Sequence, residues 1–195
     1  MISNWFPDST ATQLVVIVFY VWAASELFNT FAFRCSRQTM SSIQRDRGSY
    51  WIILLIVWGS FIVSIRARAL DLGTFHNNLQ YLGLVLVVLG IVLREWAVLS
   101  LGRFFTVKVT VAANQTLVRH GPYRWVRHPA YSGSILTLVG FSLSMGTWLG
   151  ALLVLVLCLA GYLYRVRIEE QALLETLGDE YRDYMQHTWR LFPGL

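Results

Sequence analysis

Charge is scarce in this chain. Only 14% of its 195 residues are Asp, Glu, Lys or Arg, while 55% are hydrophobic; an ordinary soluble domain carries about 25% charged residues. That shortage excludes a conventional soluble fold and leaves a membrane scaffold into which any function must be built. Negative charge is the scarcer sign, with 11 Asp and Glu against 16 Lys and Arg and a net charge of +5. Arginines on a cytoplasmic membrane face explain this balance more simply than nucleic acid does, so no nucleic-acid partner is expected. Cysteine is rarer still: Cys35 and Cys158 lie far apart in or beside apolar runs, which suits packed thiols and not a disulfide framework. The four histidines, His76, His120, His128 and His187, lack metal-ligand spacing, and no metal is expected. His76 and His187 read as structural or surface groups. The sequence also has no phosphate-binding glycine loop, no dinucleotide fingerprint, no nucleophile elbow and no internal repeat. A Lys/Arg-rich start and a small-residue cleavage pattern are missing too, so the first apolar run reads as a retained helix.

What is present is a series of apolar runs near the ~20 residues that a membrane-crossing helix needs. The first covers 14–33, preceded by Trp5 and Phe6, which suit an interface, and by Asp8, Ser9 and Thr10 as helix starters. The second covers 50–65 and is closed by Arg66 and Arg68; the third covers 79–101 and is interrupted by Arg94 and Glu95. Residues 103–131 are too basic and too rich in proline to span lipid, and should fold as a polar loop at one face. Residues 132–164 are too long for one simple span and predict two helices joined by a tight turn near 145–147. Such a hairpin returns to its starting face and sets Tyr131 beside Arg165. From 165 to 184 the pattern turns amphipathic, with Ile168, Ala172, Leu173, Leu177 and Tyr181 on one face and Gly178 as an interruption, predicting a tail helix that leaves the bilayer. The fold class expected is therefore an all-α integral membrane protein of about five transmembrane helices, with a cytoplasmic-face loop and a C-terminal helix. It divides into three N-terminal spans, 1–101, and a core, 102–195. Arginines at 34, 37, 45 and 47 and in the later polar region put the N-terminus outside and the C-terminus in the cytoplasm, with Arg66 and Arg68 dissenting.

Three polar groups stand out, because ionisable residues near lipid are costly to keep. Arg94-Glu95 reads either as an ion pair holding helices together or as a feature beside a site, and Glu26 in the first span raises the same question. The second group runs from His120 to Gly133. Gly121-Pro122 and His128-Pro129 impose turns, aromatics supply flat walls, and histidines and arginines supply donors. That composition suits an amphipathic ligand with an aromatic base, or equally a basic loop lying on lipid phosphates. The third group is Arg165 with Glu169 and Glu170. Arg165 and Glu169 are four apart and so neighbours on a helix; they form either a snorkelling ion pair or, beside the second group, a pocket with a cation for an anionic acceptor and carboxylates for a cationic cofactor.

At these residues the sequence resembles the isoprenylcysteine carboxyl methyltransferase family, which also has phospholipid methyltransferase relatives. The resemblance covers roughly the second half, from Gln115 onward. It rests on Leu117-Val118 ahead of Gly121-Pro122-Tyr123, the run from Arg127 to Gly133, the apolar hairpin, Arg165 with Glu169-Glu170, and Gly178-Asp179-Glu180-Tyr181 followed by Arg190 and Pro193. Each motif alone is weak; their order and spacing together are specific.

The resemblance implies S-adenosyl-L-methionine as cofactor and a lipophilic or prenylated acceptor reached from the membrane lipids, with the active site on the cytoplasmic side. Carried over by motif, Gln115, Thr116, Leu117, Val118, Tyr123, His128, Pro129, Ala130 and Tyr131 enclose the cofactor, with Lys108 as an upstream contact and Glu169 facing its cationic part. Gln115 stands where the family often has histidine, so contact there is expected through the backbone. Arg165 and Glu170 are the implied catalytic pair, Arg165 holding the acceptor and Glu170 supporting the reactive arrangement. The implied reaction is O-methylation of an isoprenylcysteine-like carboxylate. Phospholipid-amine N-methylation and lipid or polyketide O-methylation are the alternatives within the class, and a transporter or lipid-binding subunit is the alternative outside it.

Overall fold

Hydropathy and glycine together dictate how the helices pack. The computed structural model describes residues 9–32, 42–44, 48–75, 79–102, 110–112 and 116–194. Six α-helices lie within them: α1 Ser9–Ala32, α2 Ser49–Ala69, α3 Leu79–Leu101, α4 Pro129–Ser144, α5 Trp148–Leu177 and α6 Asp179–His187. The helical class stands with one addition, a short antiparallel pair of β1 Ser42–Gln44 with β2 Thr110–Ala112, in which Ile43 faces Val111. Strands of three residues are too short to carry a periodicity that a sequence reading can use.

Among the described residues, three helices are long and apolar enough to cross a membrane: Trp51–Ala69 within α2, Leu79–Leu101 and Trp148–Leu177. Helix α1 contributes a shorter apolar stretch, Gln13–Asn29, and α4 has 16 residues. Large apolar side chains such as Leu55, Ile62, Val92, Leu99 and Val156 point outward, forming a surface that suits hydrocarbon.

Helices α3 and α4 run antiparallel at backbone contact. A Cβ placed on Gly90 or on Gly133 would stand 2.6 Å from the other's carbonyl oxygen, and Gly83 and Gly140 repeat the relation at 2.8 Å. Small residues allow this approach, which replaces the hydrophobic drive that lipid removes. The pairing also fixes register: it sets the start of α4 against Arg94 and its end against the start of α3. Helix α5 returns along α2, with Ile56, Phe61, Val154, Cys158, Tyr162 and Val166 in one buried cluster with Ile135 and Leu138 of α4. At the far end of the bundle the α4–α5 turn is stitched to the α2–α3 loop, Trp148 N donating to Gly73 O at 3.1 Å and Phe75 N to Gly146 O at 2.9 Å. A small apolar hollow between α1, α2, α3 and α4 is walled by Val15, Phe19, Trp22, Phe61, Val87 and Phe141.

The predicted hairpin is present, with its turn at 145–147. The tail departs from expectation. No separate amphipathic helix begins at 165; α5 continues through Arg165 and ends at Leu177. Thirty residues make a rod of about 45 Å, longer than the ~30 Å hydrocarbon layer, so apolar and amphipathic stretches are one helix in two surroundings. Gly178 (φ 56) ends it, and α6 sets off from there.

Candidate active site

Local sequence explains how the polar loop enters the bundle. Residues 121–124 form a short 3-10 helix with Pro122 in its first turn, and Pro129 opens α4, where its fixed φ and missing N–H fit the first helical position. His128 precedes it at φ −126 and ψ 57, outside the α region that a residue before proline avoids. The segment between the two turns is clasped by the tail. Arg127 N donates to Trp189 O at 2.8 Å, His128 N to Arg190 O at 3.1 Å and Trp189 N to Trp125 O at 2.9 Å. Ser132 Oγ donates to Leu191 O, and the Tyr184 hydroxyl donates to Tyr123 O at 2.6 Å. Burial holds the Tyr184 phenol neutral, its pKa pushed up to about 12; burial likewise raises that of Tyr123.

The centre lies where this loop meets α5. Arg165, 3% exposed, donates from Nε to the Tyr131 hydroxyl at 2.8 Å and from Nη1 to Ser49 Oγ at 2.8 Å. Tyr131 in turn donates to Glu169 Oε2 at 2.6 Å. His128 stacks on the Tyr131 ring, the two planes 9° apart, and its Nδ1 stands 4.0 Å from Glu169 Oε2. Glu169 keeps about a third of its side chain exposed (32%). Glu170, by contrast, is only 5% exposed and is ringed by two guanidiniums and an imidazole: Arg127 Nε at 2.9 Å, Arg190 Nη2 at 3.0 Å and His128 Nε2 at 3.4 Å. One carboxylate is thus spent on tying loop, tail and α5 together, while its neighbour stays reachable.

Beside this centre, Tyr123, Ala130 and Ala97 form a buried group with Val118 packed against it. Pro129 is fully buried, Leu117 is half-buried and Thr116 is exposed. The structure therefore brings Tyr123, His128, Pro129, Ala130, Tyr131, Val118, Arg165, Glu169 and Glu170 to one end of the bundle. Lys108 and Gln115 lie outside the described residues, as do Cys35, His76, Trp5, Phe6, Asp8 and Arg34, Arg37, Arg45 and Arg47.

Arg94 belongs to the supporting structure, and its carboxylate partner is not its sequence neighbour. It pairs with Glu26 of α1 through both Nε and Nη2, and its Nη1 reaches Ser134 Oγ at 2.9 Å and Ala130 O at 3.3 Å. Glu95 accepts from Asn29 Nδ2 at 2.8 Å. The intramembrane charges therefore bind α1 to α3 and brace the start of α4. Sequence reasoning missed Ser49, Asn29 and the roles of Arg127 and Arg190. A serine 116 positions from its arginine partner gives no local signal; the pairing of Arg127 with Glu170 lay in residues already singled out, but their spacing in sequence did not reveal it.

A helical membrane scaffold with a polar centre at one end is the class these features define, and known proteins share it. The solved structure titled as the eukaryotic intramembrane Ras methyltransferase ICMT (isoprenylcysteine carboxyl methyltransferase) superposes with a TM-score of 0.67 at 24% identity, over 97% of this chain and 69% of that one. The profile of the isoprenylcysteine carboxyl methyltransferase (ICMT) family matches residues 82–175. Protein-S-isoprenylcysteine O-methyltransferase A of Arabidopsis thaliana is 30% identical over 186 residues, covering 83% of this chain and 94% of the relative. A probable protein-S-isoprenylcysteine O-methyltransferase of Oryza sativa subsp. indica is 34% identical over 118 residues, which span 60% of this chain and 62% of the rice protein. The chain belongs to the isoprenylcysteine carboxyl methyltransferase family.

Proposed function

We propose that this protein is an integral-membrane, S-adenosylmethionine-dependent O-methyltransferase acting on the carboxylate of an isoprenylcysteine-like acceptor. The observation that carries the reading is the junction of Arg165, Tyr131 and Glu169, in which a buried guanidinium and a reachable carboxylate are joined through one phenol. Family membership and the names of the plant relatives support the same activity.

The chemistry of the donor set fits the cofactor. Glu169 offers negative charge to a cationic group, and the faces of Tyr131 and His128 with the buried Tyr123 offer aromatic walls to a base. The remaining loop residues named above, with Lys108 and Gln115, complete the proposed enclosure. S-adenosylmethionine, when bound, supplies a methyl group on a sulfonium that a nucleophile can take. Arg165 grips the acceptor carboxylate; a guanidinium stays charged at any ordinary pH and matches a carboxylate in two parallel bonds. A carboxylate is already a nucleophile, so no residue has to act as general base. Glu170 acts through others, holding Arg127, His128 and Arg190 so that the walls stay in place. Positioning of this kind is worth up to about 7–11 kcal/mol in favourable cases.

The same reading gives five membrane crossings, with α1 and α4 added to the three longest apolar helices. It puts the N-terminus outside, and the centre and C-terminus on the cytoplasmic side. It treats 1–101 as the acceptor-facing half and 102–195 as the methyl-transfer core. Incubating purified protein with labelled S-adenosylmethionine and, separately, a short S-farnesylated cysteine, an ethanolamine lipid and a neutral phenolic lipid tests it. Label in the farnesylated cysteine alone is the expected result. Label in the amine lipid would move the acceptor assignment, and no labelled product with no cofactor binding would refute the enzyme.

A further inference from the structure

We infer that Ser49 is a positioning residue for the acceptor, fixing the plane of the Arg165 guanidinium from the N-terminal half of the chain. The inference rests on the methyl-transfer reading above and goes beyond it, because Ser49 lies ahead of residues 82–175, the part of the chain that the family profile matches.

Ser49 is the first residue of α2. Gly48, with φ 79, turns the chain into the helix at that point, and Ser49 is completely buried (0% exposed). Its Oγ accepts from Arg165 Nη1 at 2.8 Å, while Arg165 Nε donates to the Tyr131 hydroxyl at 2.8 Å. A guanidinium is a rigid plane. The bond at Nε and the bond at Nη1 come from two different helices, so together they constrain that plane from two sides. The two anchors also face different tasks. Tyr131 is tied to Glu169 and so to the cofactor side. Ser49 sits on α2, which packs along α5 and contributes Ile52, Ile53, Ile56 and Val57 to the shared apolar core. The orientation of the acceptor-gripping group is thereby set jointly by the methyl-donor wall and by the apolar half of the molecule. Methyl transfer needs nucleophile, carbon and sulfur in line, so a turned guanidinium costs turnover even when both substrates still bind.

Ser49→Ala, Ser49→Thr and Ser49→Cys in the full-length protein test this, assayed with labelled S-adenosylmethionine and a short S-farnesylated cysteine, with donor affinity measured by calorimetric titration. Ser49→Ala should lower kcat/KM for the acceptor by roughly tenfold to a hundredfold, the range for a hydrogen bond to a charged group. Donor Kd should stay within about threefold of the parent, since that bond lies on the acceptor side. Ser49→Thr keeps the hydroxyl and should recover most of the loss. Should the alanine variant fail to fold, Ser49→Cys, close in size with a weakly accepting sulfur, takes its place and should fall between parent and Thr-like behaviour on one side and the Ala expectation on the other. A Ser49→Ala enzyme with parental kcat/KM, an equal loss of donor affinity, or a folded Ser49→Thr enzyme no better than Ser49→Ala would each overturn the inference and leave the function standing. A parent protein that binds the donor and labels no carboxylate would overturn both.

Discussion

The guanidinium of Arg165 donates from Nε to the hydroxyl of Tyr131 at 2.8 Å, across 34 positions of sequence that include the turn of the helical hairpin. That contact makes the two polar stretches of the chain a single centre. It also separates two jobs that a reading of motifs alone would merge: gripping an anion and lining the wall for a cationic cofactor.

Replacing Arg165 by Ala should therefore abolish turnover, by at least about a hundredfold on the scale of a misplaced reactant, while donor affinity stays near the parent value. Radiolabel transfer and calorimetric titration on the same detergent-solubilised preparation check this. Equal losses in both would contradict the division of labour.

Tyr131 should give the opposite pattern. Tyr131→Ala removes an aromatic face beside Glu169 and should weaken donor binding by about 0.5–2 kcal/mol, the range for one cation–aromatic contact. Tyr131→Phe should retain more of that affinity and lose the link to Arg165, so its defect should fall mainly on acceptor turnover.

Glu170 holds Arg127, His128 and Arg190 together in a buried setting. Glu170→Ala leaves the guanidiniums of Arg127 and Arg190 without their carboxylate, a change that costs about 3–5 kcal/mol when a buried pair is broken. Thermal unfolding should report a clearly lowered midpoint, and limited proteolysis should cut first around 188–191, where the tail is clasped to the loop.

Gly90 meets Gly133 backbone to backbone, with no room for a methyl group. Gly90→Ala should force α3 and α4 apart at a cost of about 1–3 kcal/mol, as overpacking usually does. Because Arg94 braces Ala130 one turn further along, activity should fall together with the thermal midpoint, and donor affinity with both.

Much of this was legible in the sequence because lipid imposes long apolar runs. Helix α3 has the bounds its hydropathy predicts, and the turn at 145–147 falls where glycine and polar residues interrupt the hairpin. Errors came at the ends. Helix α2 continues past 65 through Arg66 and Arg68 to Ala69, with Arg68 buried and paired to Asp71 at 3.7 Å. Helix α5 ignores the change from apolar to amphipathic at 165, since a helix needs no new start when only its surroundings change. The centre was legible wherever its residues lie within one motif, as with His128 and Tyr131 or Arg165 and Glu169. Partners contributed by distant helices were not: Arg94 was placed beside Glu95 in sequence but pairs with Glu26 in space, and Ser49 shows itself only once α2 and α5 are packed.

Helix α5 is one unbroken rod from Trp148 to Leu177, and its lower part, 148–164, carries no charged residue. Arg165, Glu169 and Glu170 are mounted on its upper third like fittings on a mast. Any lean of the mast reaches all three together, at fixed spacing, whereas the loop opposite is moored to the tail. That mooring also reaches the mast, through Glu170 to Arg127 and Arg190, so the two banks travel as one body and the width between them is kept.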